Sequence, residues 1–207
     1  MSGHFITLEG GEGVGKSTQL TALANAVRER GHDVIVTREP GGSEGAEAIR
    51  ALLMQGEGDR WNTRAEALLF AAARADHIEK TIRPALDEGK WVICDRFVDS
   101  TRAYQGGGGG LSDDEIMALH RIGSDNLLPE RTLILHLEPD EAASRAFERD
   151  GGAADRFALQ SLDYHLKVSA RFIDMAGKEP ERFRLVPASG DAADVTARLL
   201  AEIEDLL

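Results

Sequence analysis

Apolar positions along the chain fall into five short runs, set apart by glycine-rich or polar segments and by longer stretches with helical spacing. Phe5 to Glu9, Asp33 to Thr37, Trp91 to Cys94, Thr132 to Leu137 and Phe183 to Pro187 read as strands, short and apolar on successive positions as strands buried on both faces are. Ser17 to Arg30 repeats apolar residues at helical intervals and meets Gly31, the favoured residue just past a helix end. Arg64 to Asp87 reads as a long helix behind a Thr63-x-x-Glu66 capping box, with a kink or break near Pro84. Ser112 and Glu115 form a second box. Strand alternating with helix predicts an α/β fold: a five-stranded parallel sheet with right-handed crossovers and helices on both faces, in three layers. Ligands in such sheets bind at the carboxyl ends of the strands.

Composition adds limits rather than direction. The 207 residues carry 24 Lys+Arg against 36 Asp+Glu, a net charge of −12, which disfavours nucleic-acid backbones and anionic membranes as partners. Hydrophobic residues make up 42%, enough for one core, and no repeat or linker divides the chain, so residues 1–207 are expected to form one domain. A single cysteine, Cys94, cannot form an internal disulfide. With no long apolar run and no basic-plus-apolar leader, a cytoplasmic location is expected.

The chemistry starts directly after the first strand. Gly10-Gly11-Glu12-Gly13-Val14-Gly15-Lys16-Ser17-Thr18 fits G-x-x-x-x-G-K-[ST] and opens a helix. Glycines let backbone N–H groups wrap phosphate oxygens, the helix start adds positive partial charge, Lys16 reaches the β/γ-phosphates and Ser17 can ligate Mg²⁺. A dinucleotide loop fails on spacing, because no three glycines stand at i, i+2 and i+5. The third strand ends in Asp95-Arg96, placing an acid suited to Mg²⁺ or its water beside a guanidinium suited to a second anion. Neither a guanine-reading Asn-Lys-x-Asp nor a motor-type Asp-Glu pair is present, which favours small phosphotransferases over switches and motors.

Other segments carry two readings each. Thr37-Arg38-Glu39-Pro40-Gly41-Gly42 is either turn punctuation or a contact beside the acceptor phosphate. Phe70 and Arg74, four apart on a helix, either belong to the core or together stack on a base and bond its edge. Ser100-Thr101-Arg102-Ala103-Tyr104-Gln105 offers pocket chemistry if it faces inward, and Gly106 to Gly110 reads as a flexible surface connection. Arg145, Arg149 and Arg156 flank Asp150-Gly151-Gly152-Ala153-Ala154, either a solvated turn or a lid over the transferring phosphates.

Taken together, the phosphate loop, Thr-Arg-Glu-Pro-Gly-Gly at 37–42, Leu-Phe-Ala-Ala-Ala-Arg at 69–74, Asp95-Arg96 and Ser-Thr-x-x-Tyr-Gln-Gly at 100–106 resemble the bacterial thymidylate kinase family over nearly the whole chain. The resemblance implies a P-loop NTPase-type fold with a short lid at about 145–157, and the reaction ATP + dTMP → ADP + dTDP with Mg²⁺ in a homodimer. It assigns Phe70 to stacking on thymine and Arg74 to its edge, with Ser100, Thr101 and Gln105 nearby. Tyr104 would disfavour a ribose 2′-hydroxyl, Glu12 would meet the sugar 3′-hydroxyl, and Arg96 would clamp the dTMP phosphate. Without an arginine in the phosphate loop, the chain resembles the lid-arginine design, with Arg145 and Arg149 at ATP and Arg149 catalytic. Phe97 and Ala158 depart from the family pattern, the first by losing a hydroxyl and the second by losing an acid near Asp155. Two rival readings remain: a kinase for another small acceptor, and a nucleotide-dependent binding switch.

Overall fold

A computed structural model describes residues 3–55, 60–138, 141, 157 and 160–207. In chain order, the five strands are β1 (Phe5–Glu9), β2 (Val34–Arg38), β3 (Trp91–Asp95), β4 (Arg131–His136) and β5 (Phe183–Pro187). They form one parallel sheet in the order β2-β3-β1-β4-β5. Between β1 and β3 lie α1 (Lys16–Glu29), α2 (Glu44–Met54), α3 (Thr63–His77) and α4 (Arg83–Asp87). After β3 come the short α5 (Val98–Thr101), a π-helical turn at Arg102–Gly108, α6 (Asp113–Ser124), α7 (Leu162–Lys178) and α8 (Ala192–Ala201). Among the described residues no helix is long and apolar enough to cross a membrane.

Alternation along the central strands builds two cores. Ile6, Leu8, Ile93, Leu133 and Leu135 face α1 and α8, packing on Leu23, Val27, Val195 and Leu199. Phe5, Val92 and Cys94 face the opposite side and pack on Ile82, Phe97, Val98 and Ile116; beside them Ile134 and Phe183 pack on Phe172 and Met175 of α7. The expectation that all five strands are buried on both faces fails at the sheet edges, where Val36 of β2 is 41% exposed and Leu185 of β5 42%. Central strands alone have neighbours on every side.

Three local expectations change. The cap of α3 is Asn62, whose side chain accepts from Ala65 N, rather than Thr63, which is already helical. The helix does not simply kink at Pro84 but widens into a π-turn at Ile78–Ile82, just before that residue. Proline has no N–H to give the turn below and its ring crowds that turn's carbonyl, and a wider turn relieves both. Gly106 to Gly110 is no loose connection, because Gly106 to Gly108 lie in the π-helical turn. A Cβ on Gly108 would stand 2.4 Å from the Tyr164 ring, and one on Gly107 2.7 Å from Arg171 Cβ, so only glycine lets this turn lie flat on α7. The Ser112–Glu115 capping box is present with both hydrogen bonds.

Candidate active site

The loop from Gly10 to Gly15 leaves β1 and turns into α1. Gly10 has φ +133°, and a Cβ there would meet the Leu135 carbonyl of β4 at 2.4 Å, so the loop can hug the sheet only as glycine. No side chain caps α1 at Gly15, which leaves the first-turn amides open to an anion. Lys16 Nζ folds back across the loop, donating to Gly10 O at 3.1 Å and Gly11 O at 2.6 Å. Burial, and then the charge of Arg96, pull the Lys16 ammonium down to about 8 against the attraction of Glu12, Asp95 and Glu9. Ser17 and Thr18 follow, exposed at the start of the helix.

At the end of β3 the chain reverses sharply. Arg96 adopts φ 67°, an uncommon left-handed backbone for a side chain this large, worth about 1–3 kcal/mol of strain. Buried Glu9, at the end of β1, holds that reversal: its carboxylate accepts Phe97 N at 2.8 Å, Ser100 N at 3.2 Å and Ser100 Oγ at 2.6 Å. Burial and the neighbouring Asp99 push the Glu9 carboxyl up to about 7. Asp95 keeps one buried oxygen, Oδ1, with no hydrogen-bond partner among the described residues.

Arg96 points back toward the phosphate loop. Its guanidinium donates to Gly10 O at 3.2 Å, Ser100 Oγ at 3.1 Å and Glu12 Oε1 at 2.6 Å, and lies 5.0 Å from the centre of the Tyr104 ring. Burial opposes its charge, and Tyr104 and the carboxylates of Glu12, Asp95 and Glu9 more than offset that, so it stays charged. The Tyr104 hydroxyl reaches Glu12 Oε1 at 3.4 Å, and burial raises its titration above the ordinary phenol range.

Beside this edge opens a cleft. It gathers Glu12, Phe70, Arg74, Arg96, Ser100, Thr101, Tyr104 and Gln105, the acceptor-side residues singled out from the sequence. Arg74 is 2% exposed, donating from Nε to Glu39 Oε2 at 2.7 Å and from Nη2 to Thr101 Oγ1 at 2.9 Å. Its guanidinium sits 5.2 Å from the centre of the Phe97 ring, which is fully buried and edge-on to Phe5 and His120. Phe97 therefore gives the Arg74 guanidinium an apolar seat. Gln105 donates to Glu66 at 3.1 Å.

The cleft also contains Glu39 and Pro40, from the segment one of whose two readings is a contact beside the acceptor phosphate, and Arg50, Met54, Phe97 and Phe157, which sequence reasoning did not place in a pocket. Arg50 and Met54 come from α2, an element that Ser43 caps and whose acidic first turn, Glu44 and Glu47, was the available signal. Pro40 follows a cis peptide, and Arg50 donates to its carbonyl at 2.8 Å. The segment 37–42 thus brings Glu39 to Arg74 rather than serving as punctuation alone. Behind the pocket, fully buried Asp99 accepts from Arg102 and from both terminal nitrogens of Arg182, tying α5 to the start of β5. The expected lid cations Arg145, Arg149 and Arg156, with Asp155 and Ala158, lie outside the described residues.

A glycine loop and buried lysine at the edge of a parallel sheet, beside an open cleft carrying arginines and aromatic rings, define a phosphate-loop phosphotransferase of the nucleoside monophosphate kinase class. The family model "Thymidylate kinase" matches residues 8–199. The chain is 58% identical to a thymidylate kinase of Rhizorhabdus wittichii, with both chains covered fully, and 50% identical to one from Caulobacter vibrioides, over 95% of this chain and 94% of that one. A crystal structure of thymidylate kinase from Ehrlichia chaffeensis superposes with a TM-score of 0.79 at 31% identity, covering all of both chains. This chain belongs to the thymidylate kinase family.

Proposed function

We propose that the chain transfers the γ-phosphoryl group of ATP to the phosphate of dTMP, forming ADP and dTDP on the route to dTTP. The observation that carries the reading is a shared carbonyl: Lys16 and Arg96 donate to the same oxygen, Gly10 O, at 3.1 and 3.2 Å. A cation suited to the donor phosphates and one suited to the acceptor phosphate therefore meet at one backbone atom. The two phosphates are held as neighbours, the geometry in-line transfer needs. An oxygen of the acceptor phosphate attacks the γ-phosphorus, the bond to the β-phosphate oxygen breaks, and ADP leaves with that electron pair. The acceptor is already ionised, so no general base is required. The protein's part is positioning and neutralising charge.

Within this reading Phe70 stacks on the base and Arg74 bonds its edge, flanked by Thr101 and Gln105. Tyr104 and Glu12 border the sugar, and Ser100 steadies Arg96. The residues suit Mg²⁺: Asp95 has a buried oxygen without a partner among the described residues, and Mg²⁺ is commonly held by one or two carboxylates plus substrate phosphates. Asp95, directly or through water, and the Ser17 hydroxyl would hold it. Bound there, it would neutralise charge on the donor phosphates. The reading extends to a single-domain, cytoplasmic homodimer closed by a lid at about 145–157, with Arg145 at ATP and Arg149 over the transferring phosphoryl group.

The test is ADP release coupled to a spectrophotometric readout, with and without dTMP and across a panel of nucleoside monophosphates. Release that depends on dTMP, with dTDP as product, is expected. A slow rate indifferent to dTMP would favour a nucleotide-dependent switch, and preference for another acceptor would reassign the pocket.

A further inference from the structure

Arg74 is fixed from three directions. Glu39 accepts a hydrogen bond from its Nε and Thr101 one from its Nη2, and the Phe97 ring lies against the guanidinium. A guanidinium has five N–H donors and no acceptor, so the donors left for a ligand in this cleft can only donate.

What holds Glu39 lies outside the cleft. Its second oxygen, Oε1, stands 3.1 Å from His77 Nδ1, and His77 Nε2 stands 2.7 Å from Thr37 Oγ1. The carboxylate can only accept, which places a proton on His77 Nδ1 and leaves Nε2 paired with the Thr37 hydroxyl. His77 is fully buried and is not among the residues lining the cleft. Gly42, with φ +83°, covers the ring: a Cβ there would meet His77 Nε2 at 2.4 Å and Thr37 Oγ1 at 2.5 Å. The result is an unbroken chain, Thr37–His77–Glu39–Arg74–Thr101, from β2 through α3 to α5, buried from His77 to Thr101 and half-buried at Thr37. Arg74 and His77 stand one turn apart on the same helix, so Glu39 is gripped from two points of α3 at once.

We infer that His77 and Glu39 are positioning residues for base recognition. They hold Arg74 as a rigid, donor-only edge, and so set a preference for a base presenting a carbonyl oxygen over one presenting an exocyclic amine. The inference rests on the reading above, in which Arg74 meets the base. Without the His77 donor, one Glu39 oxygen is left buried and unpaired and is free to swing onto the arginine's remaining N–H groups, turning them from the ligand.

Steady-state kinetics on the full chain with dTMP and dCMP test this, using His77→Leu, His77→Asn and Arg74→Ala. His77→Leu keeps apolar volume but has no donor, whereas the Asn side-chain amide restores one near Nδ1. For His77→Leu the expected result is a KM for dTMP raised about tenfold or more, in line with a lost hydrogen bond to a charged group. Its kcat and KM for ATP should stay within about twofold of the parent, and the dTMP-to-dCMP ratio of kcat/KM should narrow about tenfold. His77→Asn should restore that ratio to within about threefold. Because the ratio does not depend on the folded fraction, it survives partial misfolding. If His77→Leu does not fold, Thr37→Val, which removes the hydroxyl that fixes the ring, should narrow the ratio about threefold. Arg74→Ala separates the two claims: unchanged dTMP affinity there would overturn the role of Arg74 itself. Loss in Arg74→Ala with an unchanged ratio in His77→Leu, or in Thr37→Val should it stand in, would overturn the positioning inference.

Discussion

Replacing Glu9 by Gln should change how stability depends on pH, and the structure sets both sign and size. Glu9 is fully buried, and burial followed by repulsion from Asp99 raises its carboxyl from the ordinary 4.5 to about 7. Below pH 4.5 folded and unfolded chains both hold the proton. Between 4.5 and 7 the unfolded chain has lost it while the folded chain still binds it, so stability falls as pH rises through this window. A rise of this size is worth about 3 kcal/mol. Gln carries no titrating proton, so the stability of Glu9→Gln relative to the parent should climb by about 3 kcal/mol between pH 4.5 and pH 8. His120, pushed down to about 4 chiefly by burial, also titrates here but with the opposite sign, since a lowered histidine loses stability as pH falls. It is present in both proteins and cancels in the difference. Asp113, held at about 2 by Arg102, acts below the window. Urea titrations of ligand-free protein at closely spaced pH values read this difference directly. In melting temperature it amounts to roughly 6–12 °C for a chain of this length. A constant offset between the two proteins from pH 4.5 to 8 would refute the reasoning, because the amide's altered hydrogen bonding to Ser100 is itself independent of pH.

Other expectations follow from single features. Lys16 is pulled down to about 8 by burial and then by Arg96, so it loses charge as pH rises through that value, and the KM for ATP should rise about tenfold from pH 7 to 9; a flat profile would contradict it. Calorimetry near pH 8 should also detect proton uptake on ATP binding. Gly108→Ala forces a Cβ into the Tyr164 ring and should cost about 1–3 kcal/mol in denaturant titration. It should also weaken dTMP binding, since Tyr164 donates to the backbone carbonyl of Tyr104 at 3.2 Å. Arg149→Ala should lower dTDP turnover by about 10³ while sparing ATP affinity, the mark of charge neutralised only during transfer; near-normal turnover would remove it from the mechanism. Comparing dTMP with dUMP, a single methyl should separate kcat/KM by about 10- to 200-fold, with measurable dUMP turnover remaining.

Much of this molecule is legible in its sequence because backbone constraints are local. All five strands appear within a residue of their expected bounds, since short apolar runs between turns have few other uses. The phosphate loop is equally plain, because its glycines, lysine and hydroxyl must be contiguous to surround a phosphate. What the sequence conceals is pairing across distance. Glu9 reads as the polar end of an apolar strand; nothing local says that residues 97 and 100 fold back onto its carboxylate. His77 sits in a long helix like any polar residue, and only the return of β2 beside α3 joins it to Glu39 and Thr37. The glycine run after Gln105 misleads for a related reason. Missing side chains suggest looseness, yet here they admit the flank of another helix.

Arg96, Ser100, Thr101, Tyr104 and Gln105 all belong to the stretch between β3 and the end of the π-helical turn, pinned by Glu9 at one end and Asp99 in the middle. In the proposed reading the cation for the acceptor phosphate and several of the groups around sugar and base are thus graduations on one ruler, to which the Arg74–Thr101 hydrogen bond ties the base-binding face of α3. A nucleotide is then measured by length as well as by edge. A nucleoside without its phosphate, or a diphosphate with one too many, cannot seat its base and its reacting phosphate on the same scale. Rejection of the reaction's own product as an acceptor would therefore follow from the rigidity of this segment, with no separate device needed to prevent it.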